Sequence, residues 1–170
     1  MILKKFSQKI FSVGPVILLY YLSISEVDTE FSNIFEILSF NLQLIIIYYW
    51  VLKTDSILAN SHIFFAGIIN DVIMGLPLGI SALTYLIVSF IASYVKNVTV
   101  NTSLMSDLFT FFIAVFFSNL LFITLIYNFT ELTLTYIDIF YNSFFTILFY
   151  PLFWFIFNYY RSIINVHQYD

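Results

Sequence analysis

Cysteine is absent from this chain of 170 residues. Disulfides, thiolate metal sites and a Cys nucleophile are therefore excluded, and the redox compartment cannot be read from thiol usage. Charge is nearly as scarce, at 9% of residues against 61% hydrophobic, where a soluble domain carries roughly 25% charged residues. So little charge cannot cover a water-facing surface, so the solvent for most of the chain is lipid. The 6 basic residues are thinly spread in a chain of net charge -4, and no basic patch follows a phosphate backbone, which argues against nucleic acid. His62 and His167 lie far apart without a cluster at ligand spacing, so no metal site is expected. There is no H-E-x-x-H, no G-x-S-x-G, no phosphate-cradling glycine loop and no carboxylate pair with a cationic clamp. Neither an enzyme nor a cofactor is expected from that inventory.

What the chain has in quantity is Phe (22) and Tyr (13), which suit lipid-facing surface and the headgroup boundary rather than marking a ligand site. Lys4, Lys5 and Lys9 precede a first apolar segment at about 10–25. Ser23 and Ser25 make a small-x-small pattern there, but the stretch is long and lacks a cleavage-site Ala, so an uncleaved helix is preferred to a signal peptide. After the acidic stretch 26–33, a second span at about 34–52 ends in Tyr48, Tyr49 and Trp50 beside Lys53, as an interfacial anchor should. Within it Glu36, Ser39 and Gln43 share one face, expected to look toward other helices. For Glu36 the plainer reading is an interfacial carboxylate favoured by the helix dipole.

Residues 57–95 contain no Lys or Arg and would form a continuous helix of about 58 Å, roughly twice the hydrocarbon thickness. They are expected to make two spans, about 57–74 and 78–95, broken at GLPLG. Gly75 suits a left-handed helix end, Pro77 prevents continuation, and Gly79 opens the next helix. Small and polar residues on both helices allow close approach, so this hairpin is expected to be the central packing unit. A polar loop at 96–107 leads to a fifth span at about 108–127, with Thr110, Ala114, Ser118 and Asn119, and a loop at 128–138 leads to a sixth at about 139–160. The expected fold is all-α: one polytopic membrane domain over 1–170, six transmembrane helices and both ends cytoplasmic. That arrangement puts Lys4, Lys5, Lys9, Lys53, Lys96 and Arg161 all inside.

Asp71 lies in the last turn of the third expected helix, where the dipole opposes its charge. Its carboxylate is expected to reach across the hairpin to the free N–H groups near Gly79 to Ala82, or to Ser81. A partner or ligand contact is the second reading. Proton or ion transport is the third, and no relay of ionisable groups accompanies it. Asn70, Asp71, Gly75, Pro77, Gly79 and Ser81 are the candidate structural or partner-binding residues.

An Asp shortly before G-x-P-x-G, in AGIINDVIMGLPLGISAL at 66–83, resembles the bacterial rod shape-determining MreD family. So does the segment NSFFTILFYPLFWFIFNYYRS at 142–162, with its Asn, Pro and terminal Arg. The resemblance implies a non-enzymatic component of the cell-elongation complex in the bacterial inner membrane. It would bind MreC and help couple cytoplasmic MreB filaments to the wall synthases RodA and a transpeptidase. The family is also similar in fold to the substrate-binding S-components of energy-coupling-factor vitamin transporters. Under that alternative Glu36, Ser39, Gln43, Asp71 and Asn119 would form an outward-facing polar pocket. S-components dock their partner through an A-x-x-x-A face, and residues 10–25 contain no Ala, which favours the scaffold.

Overall fold

A computed structural model describes residues 2–25, 41–54, 57–99, 103–130 and 136–166. All regular structure among them is helical: α1 (Ile2–Ser25), α2 (Leu42–Lys53), α3 (Asn60–Ile73), α4 (Ile80–Val98), α5 (Leu104–Phe129) and α6 (Tyr136–Val166). Glu36, Ser39, the acidic stretch 26–33 and His167 lie outside the described residues.

Local chemistry sets several boundaries. Asn41 starts α2 by accepting the Leu44 N–H on Oδ1 at 3.1 Å, satisfying one of the donors a helix start leaves free. Ser103 does the same for α5, accepting from the Ser106 N–H at 3.3 Å. That cap corrects the expected loop: α5 begins at Leu104 rather than about 108 and takes Asp107 into its first turn, where the dipole favours a carboxylate. Likewise α6 starts at Tyr136, and Asp138 is in its first turn rather than in a loop. Neither Gly nor another Pro interrupts it on either side of Pro151, so nothing in the sequence ends it earlier.

The central element is α2. Every residue from Gln43 to Leu52 is buried, as expected of a helix that is apolar all round. The α3–α4 hairpin, expected to be the central packing unit, is the most extensively packed helix pair, while α2 is the helix enclosed on every side. Around α2 the other helices run in the order α1, α3, α4, α5, α6 and back to α1, with α4 packed on α2, α3 and α5. Consecutive helices point in opposite directions. Gln43 at the start of α2 bonds Ser23 at the end of α1, while Lys96 near the end of α4 reaches the Thr54 carbonyl at 2.6 Å. Lys53 at the end of α2 pairs with Asp107 at the start of α5.

Large apolar side chains such as Phe90, Phe109, Phe140 and Phe155 are exposed, while Ser23, Gln43, Asp71 and Asp107 are buried. That inversion suits a lipid solvent, in which polar groups must find protein partners. Among the described residues three helices are long and apolar enough to cross a membrane: Ile80–Val98, Leu104–Phe129 and Tyr136–Ile163. Val13–Ser25 and Leu42–Lys53 are apolar but shorter. Among the described residues three of the six expected spans are thus matched in length; the start of the second, 34–40, lies outside them. α3, with 14 residues, reaches only about 21 Å.

Candidate functional site

At one end of the bundle α3 turns into α4 through residues 74–79. Gly75 adopts φ 64, the left-handed conformation that a residue without Cβ takes at no cost. The Leu76 N–H then returns to the Asp71 carbonyl at 2.9 Å and the Gly75 N–H to the Val72 carbonyl at 3.4 Å. These two bonds form a Schellman ending and satisfy carbonyls that α3 would otherwise leave free. Gly79, at φ 107, occupies the N-cap position of α4 and has no side chain with which to cap it.

Asp71 supplies the missing cap from the neighbouring helix. Its Oδ2 accepts the Gly79 N–H and its Oδ1 accepts the Ser81 N–H, both at 2.7 Å. The carboxylate is fully buried. It sits at the unfavourable end of the α3 dipole but at the favourable end of the α4 dipole, with two charge-assisted bonds. Each such bond contributes about 1.5–3 kcal/mol, enough to decide the geometry of the turn. Both oxygens are thereby committed to the backbone of α4.

Behind the turn lies a buried network of uncharged polar groups. Gln43 Nε2 donates to Ser23 Oγ at 3.4 Å and to Asn70 Oδ1 at 3.5 Å. Asn70 Nδ2 donates to Ser81 Oγ at 3.2 Å, and the Tyr85 hydroxyl donates to Gln43 Oε1. One amide therefore ties α1, α2, α3 and α4 together where polar groups have no water to fall back on.

Beside this network is a cavity of about 310 Å³, bounded by the start of α2, the end of α3, α4, α5 and the start of α6. Asn70, Ser81 and Asn119 line it, and Asn119 Nδ2 also donates to Ser143 Oγ at 2.6 Å. Of the described residues of the polar pocket expected from sequence, Asn119 alone reaches this wall, Glu36 and Ser39 lying outside the described residues. Gln43 lies behind Asn70, and Asp71 faces the α4 backbone.

A second polar centre, which sequence reasoning missed, occupies the opposite end. Asp107 is fully buried; its Oδ2 lies 2.6 Å from Lys53 Nζ and accepts the Trp154 indole N–H at 3.0 Å. One turn further along both helices, Phe111 stacks on Tyr150 with ring centroids 4.4 Å apart, so the ion pair continues the α5–α6 interface. Arg161 and Lys96 reach the carbonyls of Lys53 and Thr54. Three cations thus converge on the negative end of the α2 dipole. The available signal was charge sign: Lys53 closes one expected span and Asp107 precedes another at the same membrane edge.

Among the described residues no group of three or more His, Cys, Asp or Glu could hold a metal ion. His62 is exposed at the start of α3, with Nδ1 3.3 Å from the Tyr20 hydroxyl. No family model, curated protein or solved structure matches the chain. The functional reading therefore rests on the geometry and on the sequence pattern.

Proposed function

We propose that this chain is a non-enzymatic integral membrane scaffold of the MreD type, with six spans and both ends cytoplasmic in a bacterial inner membrane. It binds MreC and helps couple MreB filaments to peptidoglycan synthesis by RodA and a transpeptidase. The observation that carries this reading is the Asp71 clamp. The charged residue of the motif that resembles that family's uses both oxygens to hold α4 against α3, which supports a role in shape over one in turnover or transport. The orientation draws support from Lys53, Lys96 and Arg161, which gather at the end of the bundle away from the hairpin.

The alternative, a substrate-binding subunit of a vitamin transporter, takes support from the cavity. The engagement of Asp71 and the position of Gln43 weigh against the ligand set that reading assigns.

Co-purification from native membranes tests the proposal. MreC is expected to be retained by the unaltered chain and reduced with Asp71→Ala at equal membrane abundance. Recovery of an ATP-driven transporter's energising subunits in place of MreC would overturn it.

A further inference from the structure

Beyond the scaffold reading, and without resting on it, we infer that the seam between α1 and α6 binds one anionic phospholipid. An acyl chain lies in the groove of that seam and the phosphate meets the basic residues at its end. The ring of helices is loosest there: α1 and α6 both pack on α2 but touch each other less than any other neighbours around it. What they leave is an almost wholly apolar groove of about 620 Å³. Ile17 of α1 and Ile156 of α6 line its exposed side, and the buried Trp50 of α2 lies beneath.

Volume points to a lipid chain. A dry apolar cavity of about 150 Å³ takes one benzene ring, so this groove has room for the carbons of an acyl chain. Two turns of a helix about 10 Å across already exceed it. The Trp50 indole N–H is buried and makes no hydrogen bond, which is costly where no water can reach it. Trp50 lies one turn inside Lys53 on α2, at the depth where the ester oxygens of a phospholipid are the available acceptors.

Charge selects the headgroup. Gly14 meets the Tyr160 side chain, and the two helices run in opposite directions, so the start of α1 and the end of α6 share one edge. Lys4, Lys5 and Lys9 precede Gly14 on α1, and Arg161 follows Tyr160 on α6. No Asp or Glu accompanies them: α1 contains none, and Asp138 of α6 is in its first turn, at the other end. Arg161 makes two long bonds to neutral acceptors, the Lys53 carbonyl at 3.5 Å and Asn158 Oδ1 at 3.3 Å. Among the described residues it has no carboxylate partner, since Asp107 is paired with Lys53. A basic edge between two helices attracts anionic headgroups, at about 1 kcal/mol for each Lys or Arg near them. A zwitterionic lipid with the same chains gains little from it.

The test uses the full chain, delipidated in neutral detergent, with two lipids that differ only in headgroup: dioleoyl phosphatidylglycerol and dioleoyl phosphatidylcholine. Native mass spectrometry is expected to show one phosphatidylglycerol retained, in preference to phosphatidylcholine on the order of tenfold. Phosphatidylglycerol should also raise the melting midpoint, and glycerol 3-phosphate, which lacks the chains, should not. Arg161→Gln should remove most of the preference and Arg161→Lys should keep it. The double variant Ile17→Phe/Ile156→Phe adds bulk at the groove from two half-exposed positions and should lose the retained lipid. Its midpoint without lipid is expected to stay at that of the parent. Equal retention of the two lipids, a preference that survives Arg161→Gln, or retention that survives the double variant would each overturn the site. A midpoint shift of the same size with glycerol 3-phosphate would reduce it to a phosphate contact and overturn it likewise.

Discussion

Gly67 of α3 lies directly on Ala82 of α4: an added Cβ would overlap the Ala82 Cα and sit 2.5 Å from its backbone nitrogen. The two helices meet there backbone to backbone, one turn from Asp71 and its partner Ser81. Close packing through a small residue and a side-chain clamp on the turn thus act on the same pair of helices.

Gly67→Ala should therefore destabilise the protein by about 1–3 kcal/mol, because the obstacle is backbone that a rotamer change cannot move. Gly14→Ala should cost less. There the new Cβ meets chiefly the hydroxyl end of the Tyr160 side chain, which can swing aside. Melting midpoints of the two variants in the same detergent, compared with the parent, decide the ranking.

Asp71→Asn keeps the shape of the side chain but leaves one acceptor oxygen for two backbone donors. One N–H at the start of α4 then faces an amide NH2, and the loss should be about 1–3 kcal/mol. Limited proteolysis should show faster cleavage within residues 74–80, while the amount inserted into membranes stays constant, since insertion follows hydropathy. Unchanged proteolysis would show that the turn holds without the carboxylate.

Lys53→Met should be more damaging than an exposed charge deletion. It leaves Asp107 fully buried with only the Trp154 indole opposite Oδ2, and breaking a buried pair in this way costs about 3–5 kcal/mol. The double variant Lys53→Met/Asp107→Leu should recover part of that loss, because no unpaired charge remains. A double-mutant cycle on thermal or denaturant unfolding measures the coupling.

The proposed orientation predicts opposite outcomes for two reporter fusions. Alkaline phosphatase joined after Leu78 should be active, and joined after Thr99 inactive, since the enzyme matures only outside the cytoplasm. Activity at the second position would invert or break the six-span arrangement.

Much of the hairpin was legible in the sequence because its determinants are local. Gly75, Pro77 and Gly79 dictate a turn by backbone sterics, and an Asp in the preceding helical turn is within reach of whatever follows. The middle of the bundle was less legible. The run from Gln43 to Leu52 is apolar on every side, and such a pattern cannot say whether lipid or protein surrounds it. Asp107 looked like part of a polar loop because Ser103 as a cap and Lys53 as a counter-ion each had to be recognised first, the second from far away in the chain.

The sequence by itself determined that the chain is helical and suited to lipid, where it turns between α3 and α4, and which carboxylate needs a partner there, because hydropathy and backbone sterics act over a few residues. Only the tertiary structure decided that α2 is the central element, that Lys53 meets Asp107, and that amides from distant helices share one cavity wall. Those are consequences of which helix faces meet, and no local pattern of residues encodes that choice.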